Sequence, residues 1–415
     1  MFYYNNNFLY VDDLQVAEIA KHVGTPFYLY SISQLKENFK SYVNAFSNSN
    51  VLICYAVKAN SNLTLLKVLS TLGSGADCVS QGEIRKSLIA GISPGKIVFA
   101  GVGKSEEDLI YALQNDILNF NVESIPELLL LNQVALRLNK TANIAIRINA
   151  NIDSKTHAKI NTGLKSNKFG IDVAQIPGIA VALRDLKGVN LRGLAIHIGS
   201  QITSLSPYRE AYHTLLEQAD LIRSLNCNIE YLDLGGGLGI SYDQENPPTI
   251  YQYAQLVNEM FHNKPYKLII EPGRSMVADI GILVTSVIYV KDTLEKTFLI
   301  VDAGMNDILR PSLYDAYHEI IPLTIRTNST IVYDVVGPVC ETSDIFAKDR
   351  KLPTQQAGDF LAFRHAGAYG AVMSSSYNSR LMIPEVVAQN GRFGIAKLRQ
   401  SYEDMLKVET IPTWL

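Results

Sequence analysis

The chain has 415 residues, 37 basic and 40 acidic, for a formal net charge of −3. That length implies two domains rather than one ordinary core, and 47% hydrophobic against 19% charged residues excludes a disordered chain. With both signs interspersed there is no basic stripe for a nucleic acid and no polybasic anchor for a membrane, so the expected partner is a small molecule.

The N-terminus, Met1 to Val16, carries Asp12 and Asp13 and lacks a basic segment followed by an apolar one, so no secretory signal is expected. No apolar run reaches membrane-spanning length. Cys54, Cys78, Cys227 and Cys340 have no metal-like spacing, and four cysteines in so long a chain make no disulfide framework. A reducing cytoplasm fits that usage, and no metal is expected.

The first clear element is FYLYS at 27–31, which looks extended. From about residue 33, amphipathic stretches alternate with short β-branched runs, the rhythm of βα units around a parallel sheet. Strands are predicted near 51–57, 76–79, 96–100, 118–122, 143–149, 192–198, 229–234 and 267–271. Helical patterns fill the gaps at 62–72, 105–115, 124–139, 207–226 and 250–263. Eight such units predict a closed β/α (TIM-type) barrel, with an open doubly wound sheet as the alternative. After Glu271 the pattern changes to strands without helices, at 282–290, 297–303, 330–337 and 359–365. The expected organisation is a barrel over 33–275 and a β-rich domain, Greek-key or sandwich-like, over 276–415, to which residues 1–32 contribute a strand.

In a β/α barrel the active site lies at the C-terminal ends of the strands. Four predicted ends are chemically loaded: Lys58 after VLICYAV, His197 and Ser200 in HIGS, Gly235–Gly237 after YLDL, and Glu271 with Arg274 in EPGRS. Each has a bland reading. A lysine is usually a surface residue, but one abutting a buried strand is partly desolvated, which favours the neutral amine that forms an imine. A lone histidine is more often a satisfied core residue, although its flat ring can stack on a cofactor. Three glycines can be a tight turn. After the seventh strand, however, they stand where barrels bind phosphate, with backbone N–H groups to form a nest. A carboxylate at the end of the last strand, Glu271, points into the mouth and can hold a protonated pyridine nitrogen. A lysine for an imine, a nest for phosphate, a stacking ring and a carboxylate together meet the requirements of pyridoxal phosphate.

These residues sit within longer motifs: YAVKAN (55–60), GADCVSQGE (75–83), NIDSKTHAKINTGLKSNKFGI (151–171), HIGSQ (197–201), DLGGGLG (233–239), EPGRS (271–275), RPSLYDAYH (310–318), GPVCETSD (337–344) and GAYGAVMSSSYNSR (367–380). In this order the chain resembles the fold-type III pyridoxal-phosphate decarboxylases, and within them the branch that acts on meso-diaminopimelate. The resemblance implies that Lys58 carries the cofactor as a Schiff base and His197 stacks on its ring. It implies that Ser200, Gly235, Gly236, Gly237, Gly273 and Arg274 hold the phosphate, that Glu271 pairs with the ring nitrogen, and that Tyr369 lies near phosphate and substrate. Arg274, Arg310 and Tyr314 would bind the distal carboxylate of the substrate and Glu341 its distal amine. Cys340 would donate the proton, on a loop that crosses the interface of a homodimer. The implied reaction converts meso-diaminopimelate to L-lysine and CO2 through an external aldimine, the last step of lysine biosynthesis.

The ring-holding residues do not choose among substrates, but the distal ones do. Ornithine has no distal carboxylate, and a site presenting Arg274, Arg310 and Tyr314 would leave cationic donors unpaired against it. Ornithine enzymes typically place Asp after the cysteine, whereas this chain reads Cys340-Glu341-Thr342. Carboxynorspermidine is the next candidate substrate, and arginine decarboxylases share the same ring-holding residues. A racemase of the alanine type needs a second base on the opposite ring face, and its tyrosine motif is not visible. A non-catalytic cofactor carrier would lack the β domain, and a regulatory homologue tends to lose the lysine or the cysteine.

Overall fold

A computed structural model describes residues 1–153, 162–163, 167–326 and 329–415; much of the 151–171 motif lies outside them. The described chain forms two compact units: Lys36–Ser241 with Glu245–Met276, and Met1–Leu35 with Tyr242–Gln244 and Val277–Leu415.

The first unit is the predicted barrel. Its strands are β1 (Val51–Ala56), β2 (Gly75–Cys78), β3 (Ile97–Phe99), β4 (Asn119–Val122), β5 (Ala142–Asn149), β6 (Val189–Ile196), β7 (Tyr231–Asp233) and β8 (Lys267–Ile270). Each pairs in parallel with the next, and β8 pairs with β1, so the ring closes without an edge. The open-sheet alternative is therefore excluded. Helices follow the strands where the sequence supplies a cap: Ser80, Ser105, Ser124 and Thr249 each accept the backbone N–H three residues on, satisfying a donor that the first turn leaves unpaired.

Side chains alternate across a strand, so residues two apart share a face. Cys54, Val98, Ala145, Ala195, Tyr231 and Ile269 come from six strands yet pack into one buried cluster, which only inward-pointing residues of a closed barrel can do. Small residues make room for a large one: a Cβ on Gly193 would lie 2.6 Å from the Tyr231 ring. Two or four residues further along, the same inward faces carry Lys58, Arg147, His197, Asp233 and Glu271, with Asp77 at the corresponding level of β2. The barrel interior is thus apolar below and charged at its C-terminal mouth.

The second unit is a mixed β-sheet. The long strand Gly281–Asp292 pairs antiparallel with Phe27–Ser31 and Phe360–Phe363 along its first half and with Thr297–Val301 along its second. Phe27–Ser31 also pairs in parallel with Glu385–Gln389, so the N-terminal strand is interior to this sheet. Phe27, Leu29, Ile282, Val284, Val386 and Ala388 build its buried core. Ahead of it, Phe2–Asn5, Phe8–Val11 and Leu14–Gln15 form a three-stranded antiparallel meander. Its two-residue turns, Asn6-Asn7 and Asp12-Asp13, all have φ between 43° and 70°, the left-handed pair that matches the twist of a hairpin.

Candidate active site

Lys58 lies in the short turn Val57–Ala59 that follows β1. Its Nζ bonds Asp77 Oδ2 at 2.7 Å, with the lysine side chain 30% exposed and Asp77 fully buried. The amine is therefore held by an ion pair as well as partly desolvated, which goes beyond the desolvation that the sequence suggests. Asp77 faces Ala56 in register. Beside the pair stands Glu83, whose Oε2 accepts the Val79 N–H at 2.7 Å and whose carboxyl is pushed up to about 7, chiefly by burial.

His197 follows β6, and its Nδ1 accepts the Gly236 N–H at 3.2 Å, so a proton on the neutral ring resides at Nε2. Burial, then the nearby Lys58 and Arg147 cations, hold its pKa well below 6.5. Arg147 is itself anchored: Nη1 donates to Glu123 Oε1 at 2.6 Å, and Nη2 reaches the His197 carbonyl at 3.4 Å. Glu123 also accepts the Gly101 and Gly170 N–H groups. A second buried pair, Lys104 with Glu127 at 2.8 Å, stands behind it.

The glycine run is a close-fitting cradle. A Cβ on Gly235, Gly236 or Gly237 would lie 2.4, 1.9 or 2.3 Å from the backbone oxygen of Ile196, Glu271 or Gly199 respectively, so no larger residue fits. Gly235 and Gly237 have φ of +67° and +102°, a region glycine enters without strain. The expectation of three uncovered N–H groups needs correction. Gly235 N–H donates to Asp233 Oδ1 at 3.0 Å and Gly236 N–H to His197, so of the three only the Gly237 N–H is left outside such bonds among the described residues. Ser200 Oγ accepts from Arg274 Nη2 at 3.1 Å, and Arg274 opens the turn Arg274–Val277 directly after Gly273.

Glu271, just past β8, is 4% exposed and its Oε1 has no hydrogen-bond partner among the described residues. Burial, then the Asp233 and Asp77 charges, raise its pKa well above the ordinary carboxyl value. Sequence reasoning missed Asp233 and the chain behind it, in which Asn121 Nδ2 donates to Asp233 Oδ2 at 2.8 Å and Asn119 Nδ2 to Asn121 Oδ1 at 2.9 Å.

The remaining candidates belong to the β unit. Arg310 is buried, with Nη1 2.8 Å from His318 Nε2 and its guanidinium 4.6 Å from the centre of the Tyr242 ring. His318 Nδ1 meets the Arg364 carbonyl at 2.7 Å, so Nδ1 carries the proton and Nε2 accepts from Arg310. Tyr314 ends the short helix Arg310–Tyr314, and Ser312 ties that helix to the Ser343 carbonyl at 2.7 Å. Cys340 and Glu341 are exposed. Their loop is shaped by Asp344, whose carboxylate accepts the Met305 and Val339 N–H groups, each at 2.7 Å, and by Asn378, whose Oδ1 accepts the Cys340 N–H at 2.9 Å. Hydrogen bonds from Ser343 and Tyr377 lower the Glu341 pKa. Tyr369 is half-buried in a turn with φ +56°. Two of these supports could have been read from the motifs, since His318 closes RPSLYDAYH and Asp344 closes GPVCETSD. Among the described residues no group of side chains is arranged to hold a metal, and no helix is long and apolar enough to cross a membrane.

Comparison with known proteins agrees with this geometry. Residues 32–278 match the family described as pyridoxal-dependent decarboxylase, pyridoxal binding domain. The diaminopimelate decarboxylase of Aquifex aeolicus is 45% identical over 96% of this chain and 95% of its own length, and that of Neisseria meningitidis serogroup B is 44% identical over 97% of each. Among solved structures, diaminopimelate decarboxylase from Helicobacter pylori complexed with L-lysine superposes with a TM-score of 0.92 at 43% identity, covering 95% of this chain and 99% of that one. The enzyme of M. jannaschii, in co-complex with L-lysine, gives 0.95 at 37% identity, covering 100% and 99%. The chain belongs to the diaminopimelate decarboxylases, within the pyridoxal-dependent decarboxylase family.

Proposed function

We propose that this chain removes one carboxyl group from meso-diaminopimelate and releases L-lysine and CO2, with pyridoxal phosphate held in the barrel mouth. The observation that carries the reading is the buried Glu271 Oε1 without a partner among the described residues, at the end of β8 beside a glycine cradle that tolerates no Cβ. Such an atom suits the cationic N–H of a pyridine ring, and the residues around it fit the cofactor. Lys58 would bond its aldehyde carbon, neutral His197 would lie against the ring, and Ser200, the Gly237 N–H and the Gly273–Arg274 backbone would hold the phosphate. When bound, pyridoxal phosphate supplies the electron sink that accepts the pair left by departing CO2.

The chain's own residues orient the substrate and manage protons. Arg310, its guanidinium fixed by His318 and Tyr242, offers two parallel donors to a distal carboxylate, with Arg274 and Tyr314 assisting. Glu341, kept ionised by its hydrogen bonds, takes the distal ammonium, and the Cys340 thiol gives its proton to the carbon that has lost its carboxylate. Cys340 and Glu341 are exposed on their own chain, which supports a homodimer in which they serve the partner's barrel. The four unpaired cysteines suit the cytoplasm. The test is to incubate the purified protein and pyridoxal phosphate with meso-diaminopimelate, ornithine, arginine and carboxynorspermidine and to identify the products. Lysine and CO2 from the first are expected. Turnover confined to any other substrate would overturn the reading.

A further inference from the structure

Asp233 ends β7 and Glu271 follows the neighbouring strand β8; they are only 1% and 4% exposed, and the Asp233 charge is, after burial, the main cause that raises the Glu271 pKa. Two buried carboxyl groups that act on each other in this way do not both ionise, and one of them carries a proton. The remaining partners say which. Both oxygens of Asp233 already accept, Oδ1 from the Gly235 N–H and Oδ2 from Asn121, whereas Glu271 Oε1 accepts from none of the described residues. Asp233 is therefore the carboxylate and Glu271 the acid. The ladder behind Asp233 fixes that polarity: Tyr231 donates to Asn119 Oδ1 and Asn119 to Asn121 Oδ1, so the Asn121 amide turns its N–H toward Asp233. The other charged groups facing the pair are Asp77, which favours the acid, and Lys58, which opposes it. His197, with Nδ1 3.9 Å from Glu271 Oε2, is neutral.

We propose that Asp233, locked by Asn121 and the Gly235 N–H, is a positioning residue that keeps a proton stored on Glu271, and that Glu271 delivers this proton to the ring nitrogen when the cofactor binds. The inference rests on the reading that Glu271 faces that nitrogen. In the step, the Glu271 O–H bond breaks and an N–H bond forms on the ring. The electron pair stays on the carboxylate, which then faces the cation it has made, and solvent supplies no proton. Storage as the acid also leaves the cofactor-free barrel with one buried carboxylate charge in this pair instead of two.

The test uses pyridoxine phosphate, which has the ring nitrogen and phosphate but no aldehyde to react with Lys58. It is titrated calorimetrically into full-length, cofactor-free protein in buffers of different ionisation enthalpy, at a pH above the pKa of the free ring nitrogen. Wild type should bind it with no net proton uptake. Asp233→Asn removes the largest cause after burial that favours the acid, so a larger share of Glu271 should be ionised beforehand, the ring should draw more of its proton from solvent, and uptake should rise by up to about one proton per site. Equal uptake by the two proteins overturns the proposal. Glu271→Gln reports separately on the underlying reading, because it should change the ultraviolet spectrum of the bound ring from protonated to neutral. An unchanged spectrum would mean that Glu271 does not face the nitrogen. A further measurement needs no Asp233 variant: the infrared difference between cofactor-free wild type and Glu271→Gln, at a pH where ordinary carboxyls are ionised, should contain a carboxylic acid C=O band. Its absence also overturns the proposal.

Discussion

Lys58 Nζ and Asp77 Oδ2 stand 2.7 Å apart across two neighbouring barrel strands, and the aspartate is fully buried. A buried carboxylate depends on its cation, so the lysine holds the fold together locally as well as serving chemistry.

Lys58→Ala should lower the stability of the cofactor-free protein by about 1–3 kcal/mol, below the cost of breaking a wholly buried pair because the lysine is partly wetted. Adding Asp77→Asn should restore most of the loss. Denaturant unfolding of the two variants measures this. Equal stabilities would show that the pair contributes nothing to the fold.

Because the folded protein holds the His197 pKa well below 6.5, the unfolded chain binds a proton there that the folded chain does not. The stabilisation is whole above about pH 6.5 and is lost as the pH falls toward the folded pKa. His197→Asn keeps an acceptor for the Gly236 N–H but does not titrate. It should flatten the pH dependence of stability below that point, by at most about 1.4 kcal/mol per pH unit. Parallel slopes for wild type and variant would contradict this.

A Cβ on Gly337 would lie 2.4 Å from Asp344 Oδ2 and 2.5 Å from Oδ1, displacing the carboxylate that shapes the Cys340–Glu341 loop. Gly337→Ala should therefore reduce kcat by about 10–100-fold, as misplacement of a reacting group by an ångström does, while the absorbance of bound cofactor is unchanged. Loss of cofactor with the activity would point to general unfolding instead.

Most strands of the barrel were legible because they read as largely apolar, buried runs, and the site because Lys58, His197 and Glu271 interrupt or end such runs. The supporting partners were not, although a rule was available. Asn119 and Asn121 stand two apart in LNFNV, hence on one strand face, and Asp233 is a carboxylate inside YLDL; polar residues at that spacing in a buried strand line the interior. Which of them meet could not be read, since Asn121 and Asp233 are 112 positions apart and only barrel closure joins them. The N-terminal meander was legible in principle from Asn6-Asn7 and Asp12-Asp13, two-residue turn signals set between aromatic runs. Arg310 and Cys340 drew meaning only from their motifs, because a lone arginine or cysteine carries no periodic signal.

If Cys340 and Glu341 serve the partner's barrel, Lys58→Ala and Cys340→Ala/Glu341→Ala proteins should each be nearly inactive, and mixing them should restore activity. With random reassortment of equal amounts, half the dimers are mixed and each has one intact site, so recovery should approach about a quarter of wild type. Verified subunit exchange with no recovery would place the whole site within one chain.

The most direct test of the central claim is borohydride reduction of the protein loaded with pyridoxal phosphate, followed by peptide mapping. The label should appear on the peptide containing Lys58, and Lys58→Ala should retain none. Stable label on any other lysine, or a reducible bond surviving in the variant, would contradict the assignment of Lys58 as the residue on which this decarboxylase is built.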